Sequence, residues 1–303
     1  MKILLTINKT YRGQIDGGYY NIFLPMKALG HDVYFYDTVD PVEKDYTKVI
    51  EGFKPDLIFC CMTGDKHITP YEPWGEIAEE TKSGRTKTFN WFLDDTWRFD
   101  SFSKDACKHF NVSATAEPSY VEKFKNIGYG NILFGGMHVN FDIFPHKEYD
   151  EKDIEASFIG FLTPTRKSFI EYSKDRGINI KTVSGVSHKE LIEHHNRTMV
   201  GINLSVNDNH PMKKTQMKLR IFEILAGKGL LLTEYHKGIE EFFNIDKEII
   251  TFKTFNEFEQ KFKFLVKRPK LIKKIAMNGH EKFLKNHESK VRLKSIIEQT
   301  NKF

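Results

Sequence analysis

Lys218, Arg220 and Glu223 stand at the head of an apolar run, Leu219 to Ala226, that closes on Gly227-Lys228-Gly229 and passes into Leu230-Leu231-Leu232-Thr233. The spacing predicts a helix, a glycine turn and a short strand. Cations near a helix N-terminus add charge-assisted contacts where free N–H groups and the macrodipole already favour an anion such as a phosphate. Glu223 is three residues beyond Arg220, within reach of the same ligand, and a carboxylate there accepts hydrogen bonds from ribose hydroxyls. Together they suit a nucleoside diphosphate. The same spacing also fits an amphipathic helix with Ile221, Phe222 and Leu225 buried and its charges in water. Upstream, Gly160-Phe161-Leu162-Thr163-Pro164-Thr165-Arg166 leaves a strand and opens a helix. Arg166 fits either a second, bidentate phosphate contact or a solvated arginine. Ser184, ending the next strand, and the loop before Lys218, with Thr215, join them by position.

Two carboxylate groups lie in the N-terminal half. Asp16-Gly17-Gly18 ends a loop after the first strand, where Asp16 suits a general base acting on an acceptor hydroxyl and equally suits a helix cap. Asp94-Asp95 sits between Trp91 and Trp97. Aromatic faces stack on sugars or bases and carboxylates accept hydrogen bonds from their hydroxyls, so the cluster reads as an acceptor platform. It reads as well as a capped turn with its tryptophans against the core. Asp-Asp also suits a divalent metal. His194, His195 and His210 lack a third ligand at metal spacing and read as surface residues.

Short apolar runs alternate with helical stretches. Strands are expected at 2–7, 32–36, 57–62, 88–93, 112–115 and 131–134, then at 156–161, 179–183, 200–204, 230–233 and 249–252. Helices are expected between them in the first series at 19–29, 47–52, 75–83 and 118–126. In the second they begin at Lys167, Ser187, Lys218, Ile239 and Phe255, and a last one covers 289–299. Such alternation makes parallel sheets covered on both faces. Pro145 and the charge run Lys147–Asp153 mark a linker, giving domains over 1–146 and 147–303. A chain of 303 residues with 46 Lys and Arg against 41 Asp and Glu is mildly basic at +5, which permits an anionic substrate without requiring nucleic acid. Cys60, Cys61 and Cys107 have no metal-like spacing and read as reduced thiols of a cytoplasmic protein. No apolar run is long enough for an integral membrane segment.

From Phe158 to Arg292 the chain resembles the C-terminal half of the CgeB-like glycosyltransferases, relatives of the group-1 nucleotide-sugar transferases. The residues carrying the likeness are Ser157-Phe158-Ile159-Gly160, Arg166, Gly201–Ser205, Leu219–Glu223, Gly227–Gly229, Gly238–Phe242, Ile275–Gly279, His287 and Arg292, in the family's order and spacing. The group-1 pattern has a second glutamate where this chain has Thr215. The resemblance implies an α/β, GT-B type fold: two Rossmann-like parallel-sheet domains facing a cleft, with the C-terminal helix returning to the N-terminal domain. It implies transfer of a hexosyl or pentosyl unit from a nucleotide diphosphate sugar, with retention and without metal or other cofactor. Gly160, Arg166, Ser184, Thr215, Lys218, Arg220 and Glu223 would hold the donor. Gly17, Gly18, Trp91 and Trp97 would hold a saccharide or small-molecule acceptor, beside Asp16, Asp94 and Asp95 as catalytic candidates. Lys82, Arg85 and Lys87 near Trp91 and Trp97 raise a second acceptor, a modified base in DNA. A non-catalytic sugar-nucleotide-binding or structural relative is the third reading.

Overall fold

The computed structural model describes residues 1–144, 148–206, 208 and 214–303. It divides into two compact units, Met1–Gly136 with Ser289–Phe303, and Met137–Glu288. The division thus falls ahead of the expected 146/147, and the terminal helix belongs to the first unit, in keeping with its expected return to the N-terminal domain.

In the first unit the strands are β1 (Lys2–Ile7), β2 (Thr10–Tyr11), β3 (Gln14–Ile15), β4 (Asp32–Asp37), β5 (Leu57–Cys60), β6 (Lys87–Phe92), β7 (Val112–Thr115) and β8 (Ile132–Phe134). Six form one parallel sheet in the order β4-β1-β5-β6-β7-β8. The other two make an antiparallel hairpin inside the loop expected after β1. The helices are α1 (Leu24–Ala28), α2 (Tyr46–Phe53), α3 (Trp74–Ser83), α4 (Asp95–Arg98), α5 (Lys104–Ala106) and α6 (Pro118–Asn126). Alternate residues of a strand face opposite sides, so a sheet covered on both faces needs unbroken apolar strands. Ile3, Leu5 and Ile7 join Phe59, Phe89 and Trp91 on one face, covered by Ile22, Met26 and by Leu293, Ile296 and Ile297 of the C-terminal helix Ser289–Thr300. Leu4, Ile58 and Cys60 face Tyr46, Val49 and Ile77 of α2 and α3 on the other.

The second unit holds β9 (Ile154–Ile159), β10 (Lys181–Val183), β11 (Thr198–Asn203), β12 (Leu230–Glu234) and β13 (Ile250–Phe252), all parallel in the order β10-β9-β11-β12-β13. Around them lie α7 (Pro164–Asp175), α8 (His188–Arg197), α9 (Leu219–Ala226), α10 (Phe255–Val266) and α11 (Pro269–Asn286). The helix expected from Ile239 is a single 3-10 turn, Ile239–Glu241, entered from Gly238 in the left-handed region. The 18-residue α11 was not among the expected helices.

Candidate functional site

In open parallel sheets a ligand binds beyond the carboxyl ends of the strands, where the strand order reverses. That point lies between β9 and β11 in the second unit and between β1 and β5 in the first.

At the β9/β11 point the first turn of α9 delivers Arg220. Its Nε donates to the carbonyl of Ile159, the last residue of β9, and its Nη1 donates to Asn203 Oδ1, at the end of β11, at 3.0 Å. Asn203 is oriented by its own Nδ2, which donates to Ser205 Oγ and Thr233 Oγ1 and leaves the amide oxygen for Arg220. Gly160 has φ of 138°, and a Cβ there would run into the Arg220 guanidinium, so only glycine lets the chain leave β9 under this arginine. Arg166, on the first turn of α7, donates through Nη1 to the Phe161 carbonyl at 3.0 Å. Both guanidinium groups lie over the Phe158 ring, at 4.3 Å for Arg220 and 5.7 Å for Arg166. Both side chains are buried.

Two buried cations side by side carry an electrostatic cost. Burial first, then the Arg166 charge, pulls the Arg220 pKa down to about 9, with Glu223 opposing. Arg166 is lowered by burial too, with Asp208 and Glu234 opposing. The Nε of Arg166 is buried with no hydrogen-bond acceptor among the described residues. An anion at this point would supply the missing acceptor and relieve the repulsion.

Glu223 is one turn along α9 and buried. Burial alone would raise its pKa, but the His195 imidazole, Arg220 and His188 outweigh burial and the carboxyl is held below its usual range. His195 Nε2 lies 3.6 Å from Glu223 Oε2. The expectation of a surface histidine at 195 is therefore corrected: the residue is 2% exposed, because Ile192, His195 and Asn196 share the buried stripe of α8. That stripe was visible in the sequence. His210 lies outside the described residues. Lys152 Nζ is buried and donates to the carbonyls of Asn196 and Gly227, each at 2.7 Å, and of His195 at 3.4 Å, tying the C-terminal ends of α8 and α9 together. Sequence reasoning missed Asn203, His195 and Lys152 as parts of this arrangement.

The remaining donor-side expectations fall in the same unit. Lys218 is the extended residue just before α9 and is partly exposed. Thr215 pairs with Val206 across an isolated bridge, and its Oγ1 is 3.1 Å from His236 Nδ1. Ser184 is exposed directly after β10.

In the first unit Asp16 follows the β2–β3 hairpin, and its Oδ1 accepts from the Gly18 N–H at 2.9 Å, as a cap does. A Cβ on Gly18 would strike Ile7, so the loop passes tightly over the end of β1. Gly17 lies between them. Asp94 precedes α4 and is partly exposed. Asp95 is 1% exposed and accepts from Thr115 Oγ1 at 2.5 Å. Trp91 as an acceptor platform is corrected: at 2% exposure it belongs to the core, sharing a strand face with Phe89. Trp97 remains available at 39% exposure, with the Arg98 guanidinium 5.5 Å from its ring. The expected mixture of Lys82, Arg85 and Lys87 with the two tryptophans is corrected as well. Lys82 lies in the last turn of α3, Arg85 pairs with Glu80 and Lys87 starts β6, while Trp97 follows the far end of that strand. Among the described residues no group of three or more His, Cys, Asp or Glu side chains is placed to hold a metal ion, and no helix is long and apolar enough to cross a membrane.

The fold is similar to several solved structures. A glycosyltransferase from Rickettsia africae aligns over 99% of this chain and 98% of its own, at 12% identity and a TM-score of 0.65. Anabaena HepE in complex with UDP and glucose aligns over 100% of both chains, at 10% identity and a TM-score of 0.67. An alpha-glucosyltransferase in complex with UDP aligns over 99% of this chain and 100% of its own, at 11% identity and a TM-score of 0.65. A search of curated protein sequences finds no match. The two parallel-sheet units are those of the GT-B glycosyltransferases. Residues 146–298, just over half of the chain, match the family described as glycosyl transferase-like, and the chain belongs to that family.

Proposed function

We propose that the chain moves a hexosyl or pentosyl unit from a nucleoside diphosphate sugar, held in the second unit, to a hydroxyl of a saccharide or small molecule, with retention and without metal or other cofactor. The observation that carries this reading is the pair of buried guanidinium groups at the β9/β11 point, with Arg166 Nε lacking an acceptor. When the sugar leaves, charge grows on the diphosphate, and fixed cations in a dry site stabilise it. Glu223, kept ionised, accepts from the ribose hydroxyls. Lys218 would join the phosphates, and Gly160 the close approach of the chain to them. Thr215 and Ser184 flank the sugar and the base. Gly17, Gly18 and Trp97 border the acceptor, with Asp16 or Asp94 accepting from its hydroxyl. The UDP in several similar structures makes UDP the first nucleotide to try.

Calorimetric titration tests the clamp. Arg166→Ala and Arg220→Ala are each expected to weaken UDP binding by about 1.5 to 3 kcal/mol, the value of a hydrogen bond to a charged group. Unchanged affinity in both variants would remove the diphosphate from this place. The anomeric configuration of the product, read by NMR, tests retention. An inverted product together with collapse of turnover in Asp16→Asn would make Asp16 the general base instead.

A further inference from the structure

Between Lys261 and Lys274 the chain carries seven basic residues and no acidic one, so that the remainder of a chain with net charge +5 is net negative. This stretch is the end of α10, the turn and the start of α11. Three of its cations are paired: Lys261 with Glu257, Lys263 with Glu259 and Lys273 with Asp150. Lys267, Arg268, Lys270 and Lys274 are exposed and have no carboxylate partner among the described residues. In the same stretch Phe264 is 50% exposed and carries the Arg268 guanidinium 3.8 Å from its ring centroid. The Lys273–Asp150 pair ties the start of α11 to the chain just ahead of β9. The patch therefore lies toward the amino ends of the strands, away from the guanidinium pair at their carboxyl ends.

We infer that this corner docks on an anionic lipid surface. Each exposed cation gains from the negative potential above acidic headgroups, and an exposed aromatic ring among them enters the headgroup boundary. A helix–helix corner presents its charges compactly, with Pro269 at the tip and an apolar ring at its side. A planar headgroup layer rewards that shape, whereas duplex DNA rewards cations strung along a phosphate backbone and keeps its bases stacked inside, out of reach of an exposed ring. Docked in this way, the second unit keeps its nucleotide end turned from the lipid.

Co-sedimentation of the full chain with vesicles tests this, using phosphatidylcholine alone and phosphatidylcholine mixed with phosphatidylglycerol. The expected result is salt-sensitive binding to the mixed vesicles only. Neutralising one cation should cost about fivefold in partitioning, so Lys267→Gln, Arg268→Gln, Lys270→Gln and Lys274→Gln combined should abolish it. Phe264→Ser should weaken binding while keeping its salt dependence. Lys108→Gln with Lys125→Gln, at exposed positions in the first unit, should leave it intact, and UDP binding by the fourfold variant would report that its fold is unharmed. Equal binding to neutral vesicles, no binding to either, retention in the fourfold variant, or binding to duplex DNA in place of vesicles would each overturn the proposal.

Discussion

Asp95 shows how burial sets the chemistry of a single side chain. Burial raises its pKa from 3.8 to about 6, Asp94 and Glu117 push the same way, and hydrogen bonds from Ser103 and Thr115 oppose. A carboxyl whose folded pKa exceeds its unfolded one binds its proton more tightly in the folded state, so stability falls as pH rises from about 4 to about 6 and then levels off. Asp95→Asn should be more stable than the parent above pH 6, on the order of 1 to 3 kcal/mol, with the gap closing toward pH 4. Urea denaturation across that range measures it, and a gap independent of pH would show that another group is responsible. At this scale residue types were legible and exposure was less so. Trp91 lies within the expected strand and shares parity with Phe89, so its burial follows from the period of two. The Arg220–Asn203 contact joins residues from separate elements, and no local pattern announces such a pairing.

Among the elements, α9 is held at both ends. Its first turn holds Arg220, and its C-terminal carbonyls are taken by His280 Nδ1, at 2.8 Å from Leu225 O, and by Lys152. Cationic or donor groups at a helix C-terminus satisfy free carbonyls and complement the dipole. Lys152→Met should leave the carbonyls of Asn196 and Gly227 short of a donor, while that of His195 keeps the Thr198 N–H, and cost roughly 1 to 3 kcal/mol or more. Lys152→Arg should recover part of that. Thermal unfolding reads the loss, and an unchanged melting temperature in Lys152→Met would mean that water replaces the ammonium without penalty. The β1, β7 and α6 bounds agree with those expected from the sequence, because apolar runs there end at clear Gly, Pro or Asn breaks. The hairpin β2–β3 and α11 escaped. Two-residue strands leave no periodic signal, whereas α11 buries Ile272, Ile275, Ala276, Gly279, His280 and Phe283 at the three- and four-residue spacing of a helix, so its stripe was legible in the sequence and went unread.

For the molecule as a whole, the residues proposed to hold the donor all fall within one unit, so on that proposal a nucleotide should stabilise that unit alone. A ligand at 100 times its dissociation constant adds about 2.7 kcal/mol to the state that binds it. Differential scanning calorimetry with UDP is expected to shift the transition of the Met137–Glu288 unit and leave that of the other in place. A shift of every transition by the same amount would mean that the two units unfold as one. The placement of Ser289–Thr300 also bears on how the chain is made. The second unit is one unbroken stretch, whereas the first takes Leu293, Ile296 and Ile297 into its core from the far side of it. On the ribosome, synthesis runs from N- to C-terminus, so the unit begun first is finished last. Ile22 and Met26 wait uncovered while all of 137–288 emerges. A stop codon just before Ser289 would spare the sheet translated most recently and strand the one translated earliest.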